Sequence, residues 1–205
     1  MDVPRGRFLV LEGADGCGKT TQARRLVDSL RATGRETLHV RDPGTTKLAE
    51  SVRAILLDPA QGHVAAAAEV CLYLAARAQL VEEVVAPAVA RGAFVVCERW
   101  TLSTEVYQGV AAGFGAARVR RAATAVLPDV RPDMTIVLDV AVGGGLGRIR
   151  RDLDRMESKG AAFHEAVVRA YRRLSARRPA TVVIPSGTPD DVARAVAAVA
   201  AGLHG

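Results

Sequence analysis

The 205-residue sequence is short of aromatics, lysine and cysteine, and each shortage excludes something. Aromatic residues make up 4% of the chain, and none is interleaved with basic residues along a strand pattern. A base-stacking platform for nucleic acid is therefore not written here. Of the 28 basic residues only Lys19, Lys47 and Lys159 are lysine. The net charge of +6 thus rests on arginines in an alanine-rich chain, a compositional habit, and no nucleic-acid partner is expected. The cysteines Cys17, Cys71 and Cys97 are odd in number, scattered and without metal-ligand spacing, which predicts free thiols in a reducing cytoplasm. No apolar run approaches the roughly 18 residues that cross a bilayer, so no membrane partner is expected. The first residues lead into a strand without the apolar region of a signal peptide. No repeat and no linker interrupts the pattern, so 1–205 reads as a single domain, large enough for a sizeable core.

What is present is a phosphate loop. Gly13-Ala14-Asp15-Gly16-Cys17-Gly18-Lys19-Thr20, followed by Thr21, is G-x-x-x-x-G-K-[ST] in full. The short apolar run Phe8-Leu9-Val10-Leu11-Glu12 before it reads as a buried parallel strand. Leu26, Val27 and Leu30 after it share a helical face. The glycines let several backbone N–H groups point into one concavity. The helix opening at Lys19 adds the positive end of its dipole. Lys19 then meets phosphates as a point charge, and the Thr20 hydroxyl suits Mg²⁺. Cys17 inside this loop is either a reactive thiol or a small filler.

Four more strand patterns follow. They are Glu36–Val40, Phe94–Cys97, Met134–Leu138 and Thr181–Ile184, with helical patterns between them, the longest over 65–90. The second strand ends in the turn-forming stretch Arg41-Asp42-Pro43-Gly44-Thr45-Thr46, and the third in Glu98-Arg99-Trp100. Carboxyl ends of parallel strands are where ligands bind in such sheets. The segment 143–159 holds Arg148, Arg150, Arg151 and Arg155 among Asp152, Asp154 and Glu157, in a helical pattern. It is either a solvated helix face or a lid whose arginines close over phosphates. Five β-units with intervening helices and a phosphate loop after the first give a doubly wound α/β fold.

These residues resemble the thymidylate kinase family. Four stretches carry the likeness: Leu11 through Thr21; Arg41 through Thr46 with Leu48-Ala49-Glu50 and Arg53–Leu57; Glu69 through Gln79; and Glu98 through Gly109. The likeness continues through Arg131-Pro132-Asp133 and Val137–Val140 to the lid and covers nearly the whole chain. It implies a P-loop NTPase fold, with a five-stranded parallel sheet flanked by helices and a helical lid. It implies an ATP-dependent kinase that phosphorylates a pyrimidine deoxynucleoside monophosphate, dTMP above all, with Mg²⁺. It also implies a homodimer. Arg99 then holds the acceptor phosphate, which Arg53 also approaches. Tyr73 stacks on the base, Arg77 bonds it, and Thr104, Tyr107 and Gln108 line base and sugar. Pro43 borders the 5-position, and Asp15 approaches the sugar 3′-hydroxyl. Arg150 and Arg155 act in transfer, in the manner of the lid-arginine type. Thr20 and Glu98 serve the metal, with Asp139 kept structural.

The departures lie around the acceptor. The family's Arg-Glu-Pro-Gly-Gly-Thr has Asp42 and Thr45 here, which predicts a loop of different shape because threonine resists φ > 0. Its strand-three Asp-Arg is Glu98-Arg99, its stacking phenylalanine is Tyr73, and its lid is about two residues longer. A kinase for a modified pyrimidine nucleotide or another small acceptor, and a non-catalytic nucleotide-binding protein, remain alternative readings.

Overall fold

Strand β1 (Arg7–Glu12) is buried almost from end to end because both faces of the sheet it centres are covered. A computed structural model describes residues 5–140, 147 and 152–203. Its five strands are β1, β2 (Thr37–Arg41), β3 (Phe94–Glu98), β4 (Met134–Leu138) and β5 (Thr181–Ile184). All are parallel, in the order β2-β3-β1-β4-β5. Since β1 has β3 on one side and β4 on the other, the chain reverses its winding there. The loop after β1 opens into the resulting crevice.

Alternation along β1 divides the core. Leu9 and Leu11 face α1 (Lys19–Ala32) and α8 (Pro189–Ala201), packing with Leu26, Val27, Leu30, Val196 and Ala200. Phe8 and Val10 face the opposite layer. There Leu80, Val81, Val85 and Val89 meet Trp100, whose ring stands edge-on to Phe8 at 5.0 Å. Full burial of a side chain such as Phe8 stabilises by about 1.5–3 kcal/mol.

The remaining helices are α2 (Lys47–Leu57), α3 (Ala66–Leu80), α4 (Ala86–Ala90), α5 (Thr101–Thr104), α6 (Ala116–Val126) and α7 (Ala161–Ser175). The single helix expected over 65–90 is divided by a π-helical turn, Val81–Val85, between α3 and α4. The cause lies in Pro87, which has no N–H for the carbonyl one turn back. A second π-helical stretch, Glu105–Ala111, continues α5 and carries Tyr107 and Gln108. In the expected helical lid, the described residues 155–158 are turns rather than helix. Asp154 Oδ1 takes the N–H groups of Met156 (2.9 Å) and Glu157 (3.0 Å), a local bond that competes with helix. Arg148, Arg150 and Arg151 lie outside the described residues.

The carboxyl end of β1 is tied to the rest by Glu12, which is fully buried. Its carboxylate accepts the N–H of Trp100 (2.8 Å) and of Ser103 (3.0 Å), the Ser103 hydroxyl (2.5 Å) and the Tyr171 hydroxyl (2.9 Å). It thereby joins β1, the start of α5 and α7. Glu12→Ala strands two backbone donors and two hydroxyls in the core. We expect a loss of about 3–5 kcal/mol in urea unfolding at pH 7. A loss under about 1 kcal/mol would show that water or neighbours replace the carboxylate.

Candidate active site

The phosphate loop is built by close approach. Gly13 takes φ +139, and a Cβ there would stand 2.6 Å from the Leu138 carbonyl oxygen and 2.7 Å from Cys17 Sγ. Gly18 takes φ +96 as the residue before α1, leaving the helix N-terminus open without a side-chain cap. Lys19 is buried under the loop, its Nζ donating to the carbonyls of Gly13 (3.0 Å) and Ala14 (2.9 Å). Asp15, Gly16, Gly18, Lys19, Thr20 and Thr21 line one end of a cleft of about 470 Å³. Cys17 packs toward the core instead.

Beside Lys19, the Thr20 hydroxyl donates to Glu98 Oε2 at 2.6 Å, and Glu98 Oε1 meets His39 Nε2 at 2.9 Å. Burial pushes the Glu98 carboxyl up, but the hydrogen bonds from His39 and Thr20 outweigh it and hold the group below the usual range. Thr20 and Glu98 are hard oxygen donors at the mouth of a phosphate loop, which fits a divalent cation such as Mg²⁺. Asp139, the other acid at a strand end, is held by Arg172 at 3.0 Å.

Arg99 occupies the middle of the cleft at φ +68, a conformation that costs a non-glycine residue stability and that its surroundings must hold. Its N–H donates to the Leu11 carbonyl (2.8 Å), and its guanidinium pairs with Asp15, reaches Ser103 Oγ (3.2 Å) and lies over the Tyr107 ring. Tyr107 donates to the other Asp15 oxygen at 2.8 Å. Burial pushes the Asp15 carboxyl up, yet Arg99, Lys19 and Tyr107 together bring it below its ordinary value.

The far end of the cleft is lined by Pro43, Arg53, Tyr73, Arg77, Thr104 and Gln108. Arg77 and Asp42 form a fully buried pair at 2.6 Å, and Arg77 Nη2 donates to Thr104 Oγ1 at 2.9 Å. Arg77 Nη1 and Asp42 Oδ1 are buried with no hydrogen-bond partner among the described residues. A half-satisfied charged pair at a cleft wall is suited to a ligand that completes it. Burial pushes the Asp42 carboxyl up, opposed by Arg77. Burial likewise raises the Tyr73 phenol, whose ring packs over Ala49, Val52, Leu56 and Ala76. Among the described residues its hydroxyl has no hydrogen-bond partner. Arg53 donates to the Pro43 carbonyl at 3.1 Å, and burial, then Arg41 and Arg99, push its guanidinium down. A cluster of like charges of this kind calls for an anion.

In the loop after β2, the residue expected to resist a positive φ takes one. Thr45 itself takes φ +77. Four contacts hold it there: Thr45 N donates to Glu50 Oε1 (2.7 Å), Arg41 N to Thr45 Oγ1 (2.9 Å), Thr45 Oγ1 to the Arg41 carbonyl (3.3 Å), and Arg41 pairs with Glu50 (2.8 Å). The Asp42–Pro43 peptide is cis.

Arg155 stands apart from these groups. Its guanidinium donates to Glu69 (2.7 Å) and the Leu56 carbonyl (2.8 Å) and lines a second cavity with Lys159 and Phe163. A buried arginine needs a carboxylate, and Glu69 supplies it. Glu69 also accepts from Gln108 at 2.8 Å, so the base of the lid segment is joined to the cleft wall. Glu12, His39, Ser103 and Tyr171 are site-building residues that pattern reading passes over. Only the acid closing an apolar strand, at Glu12, offers a signal.

A family model described as thymidylate kinase matches residues 11–195. The chain belongs to the thymidylate kinase family. A thymidylate kinase of Pseudomonas fluorescens is 44% identical over 176 residues, which cover 85% of this chain and 84% of that protein. One of Geobacter sulfurreducens is 39% identical over 203 residues, or 95% of each. The crystal structure of thymidylate kinase from Ehrlichia chaffeensis matches with a TM-score of 0.79 at 27% identity. That match covers 97% of this chain and 99% of that chain. The expected P-loop NTPase fold is thereby the fold of the chain, and its class is ATP-dependent nucleoside monophosphate kinase. Among the described residues no helix is long and apolar enough to cross a membrane.

The thymidylate kinase loop after β2 yields a test of its strain. Thr45→Ala keeps the unfavourable φ and loses the hydroxyl, whereas Thr45→Gly loses the hydroxyl and relieves φ. Thr45→Ala should therefore be less stable than Thr45→Gly by about 1 kcal/mol, read from urea midpoints at unchanged slope. The reverse order would show that Cβ packing and the stiffer unfolded chain of alanine outweigh the cost of the positive φ.

Proposed function

We propose that this chain transfers the γ-phosphoryl group of ATP to the 5′-phosphate of a pyrimidine deoxynucleoside monophosphate, converting dTMP to dTDP. The observation that carries the reading is one continuous cleft. At one end lies an open phosphate loop and at the other an arginine-rich pocket closed by a half-satisfied Arg77–Asp42 pair.

An oxygen of the acceptor phosphate forms the new bond to the γ-phosphorus while the bond to the β–γ bridging oxygen breaks and ADP leaves. A phosphate oxygen is already ionised, so no general base is required and the work is positioning and charge neutralisation. Lys19 and the open N-terminus of α1 bind the donor phosphates. Arg99 and Arg53 bind the acceptor phosphate. Asp15 and Tyr107 hold Arg99 and face the sugar. Tyr73 covers the base, Pro43 borders its 5-position, and Arg77 bonds it beside Thr104 and Gln108. Thr20 and Glu98 would hold Mg²⁺, which supplies neutralisation of phosphate charge when bound. Arg155 fixes the base of the lid through Glu69, and the role of Arg150 rests on sequence alone. Asp42 in place of the family glutamate favours a second reading, a 5-modified pyrimidine monophosphate as acceptor.

A homodimer is part of the proposal. Leu48 and Ile55, seven residues apart on α2, are exposed at 48% and 45% and form one stripe. A cytoplasmic location fits the free thiols at Cys17, Cys71 and Cys97.

A coupled assay of ADP release across a panel of monophosphates tests the activity. dTMP-dependent turnover is expected, and its absence across all deoxynucleotides would overturn the reading. Lys19→Ala should lower kcat by at least about 10³-fold while the melting temperature stays within a few degrees, because Lys19 acts on charge that develops in transfer. Near-normal turnover in that variant would remove Lys19 from the mechanism.

A further inference from the structure

We infer that His39 is a positioning residue of the phosphoryl-transfer site, fixing the carboxylate of Glu98 where the Thr20 hydroxyl and a nucleotide-bound divalent cation need it. The inference rests on the kinase reading of the cleft.

Strand register places the pair. β2 and β3 run parallel with His39 opposite Val96 and Arg41 opposite Glu98. Side chains two apart share a face, so His39 and Glu98 are diagonal neighbours on one face, within reach of long side chains. Val96, two residues before Glu98, packs with Leu26, Val27 and Leu30 of α1, and Thr20 stands at the start of that helix. Three elements therefore converge on one carboxylate. Glu98 is 7% exposed, and each oxygen has its own donor: Thr20 Oγ1 on Oε2 at 2.6 Å, and His39 Nε2 on Oε1 at 2.9 Å. An ionised carboxylate only accepts, so the imidazole Nε2 donates.

The need for His39 follows from the length of its partner. Strand three of the family pattern ends in aspartate, and Glu98 carries one methylene and one rotatable bond more. A single bond to Thr20 leaves that extra torsion free. The second bond, from a ring held on a β-strand, removes it. Outer partners of this kind orient the groups around a metal ion and raise its affinity.

Two substitutions separate positioning from packing. His39→Phe fills a similar volume without the donor, and His39→Gln restores an N–H at similar reach. The readout is Mn²⁺ binding to the ADP-loaded protein by electron paramagnetic resonance, alongside kcat and the KM for ATP. His39→Phe should weaken Mn²⁺ about tenfold and lower kcat. ADP binding in excess chelator should not change, and His39→Gln should stay within about twofold of the parent protein. Equal Mn²⁺ affinity in His39→Phe, or equal impairment in both variants, would overturn the inference.

The Glu98→Asp background guards against a folding defect. There the shortened acid is out of reach of the ring, so adding His39→Phe should change Mn²⁺ affinity by less than about twofold. A full tenfold further loss would mean that His39 acts other than through Glu98. If the parent protein phosphorylates no monophosphate, the kinase reading fails, while the Mn²⁺·ADP titration still decides the role of His39.

Discussion

A carboxylate sealed from water governs this structure. Glu12 closes the central strand at the point where the chain must turn out of the sheet into the phosphate loop. A charged group there is costly unless every lone pair is used. The cost is offset by four donors drawn from Trp100, α5 and α7, and that requirement fixes three distant segments against one another. Ser103 is shared: it donates to Glu12 and also meets Tyr171 and the Arg99 guanidinium. The buried anchor and the arginine of the cleft therefore have one hydroxyl in common. Positioning of Arg99 is a consequence of how β1 ends, not a separate device.

The same logic, with the accounting left open on one side, organises the cleft. Asp15 is used at both oxygens, by Arg99 and Tyr107, so it stays ionised against the pressure of burial. Glu69 is likewise saturated by Arg155, Lys159 and Gln108. Of these buried charged groups, the Arg77–Asp42 pair keeps a bare donor and a bare acceptor among the described residues. Saturated pairs hold a shape, whereas an unsaturated one assigns the place of a polar ligand. The contrast separates frame from recognition surface without reference to sequence motifs.

Much of this was legible in the sequence, and the reasons differ by element. The phosphate loop could be read because its glycines, lysine and threonine have spacings that the backbone itself demands. The central strands β1 and β3 could be read because burial on both faces leaves apolar runs, and the partly exposed β2 and β5 from their β-branched residues between turn signals. The division of the helix over 65–90 was written at Pro87 but outweighed by the apolar periodicity around it. The turn at 155–158 was hidden because Asp154 looks like one more charge on a polar helix face until its bonds to backbone N–H groups are seen. His39 left no trace at all: a histidine in a strand gains meaning only when strand register places it diagonally from Glu98.

The loop at Thr45 shows how a departure from a family pattern can be absorbed. Sequence reasoning weighs the intrinsic preference of threonine, of order 1–2 kcal/mol against a positive φ, and concludes that the backbone must move. The structure instead holds threonine at a positive φ and offsets the cost locally. The branched Cβ makes threonine unfavourable at this φ, but its hydroxyl takes the Arg41 N–H, and Glu50, held by Arg41, takes the Thr45 N–H. A glycine would have needed neither. The loop borders the cleft through Pro43, so its conformation sets part of the cleft wall. Holding that wall by side-chain bonds ties its geometry to the Arg41–Glu50 pair, which is exposed and therefore open to screening by salt. In a glycine loop the wall is set by the backbone alone. Here part of it depends on surface electrostatics.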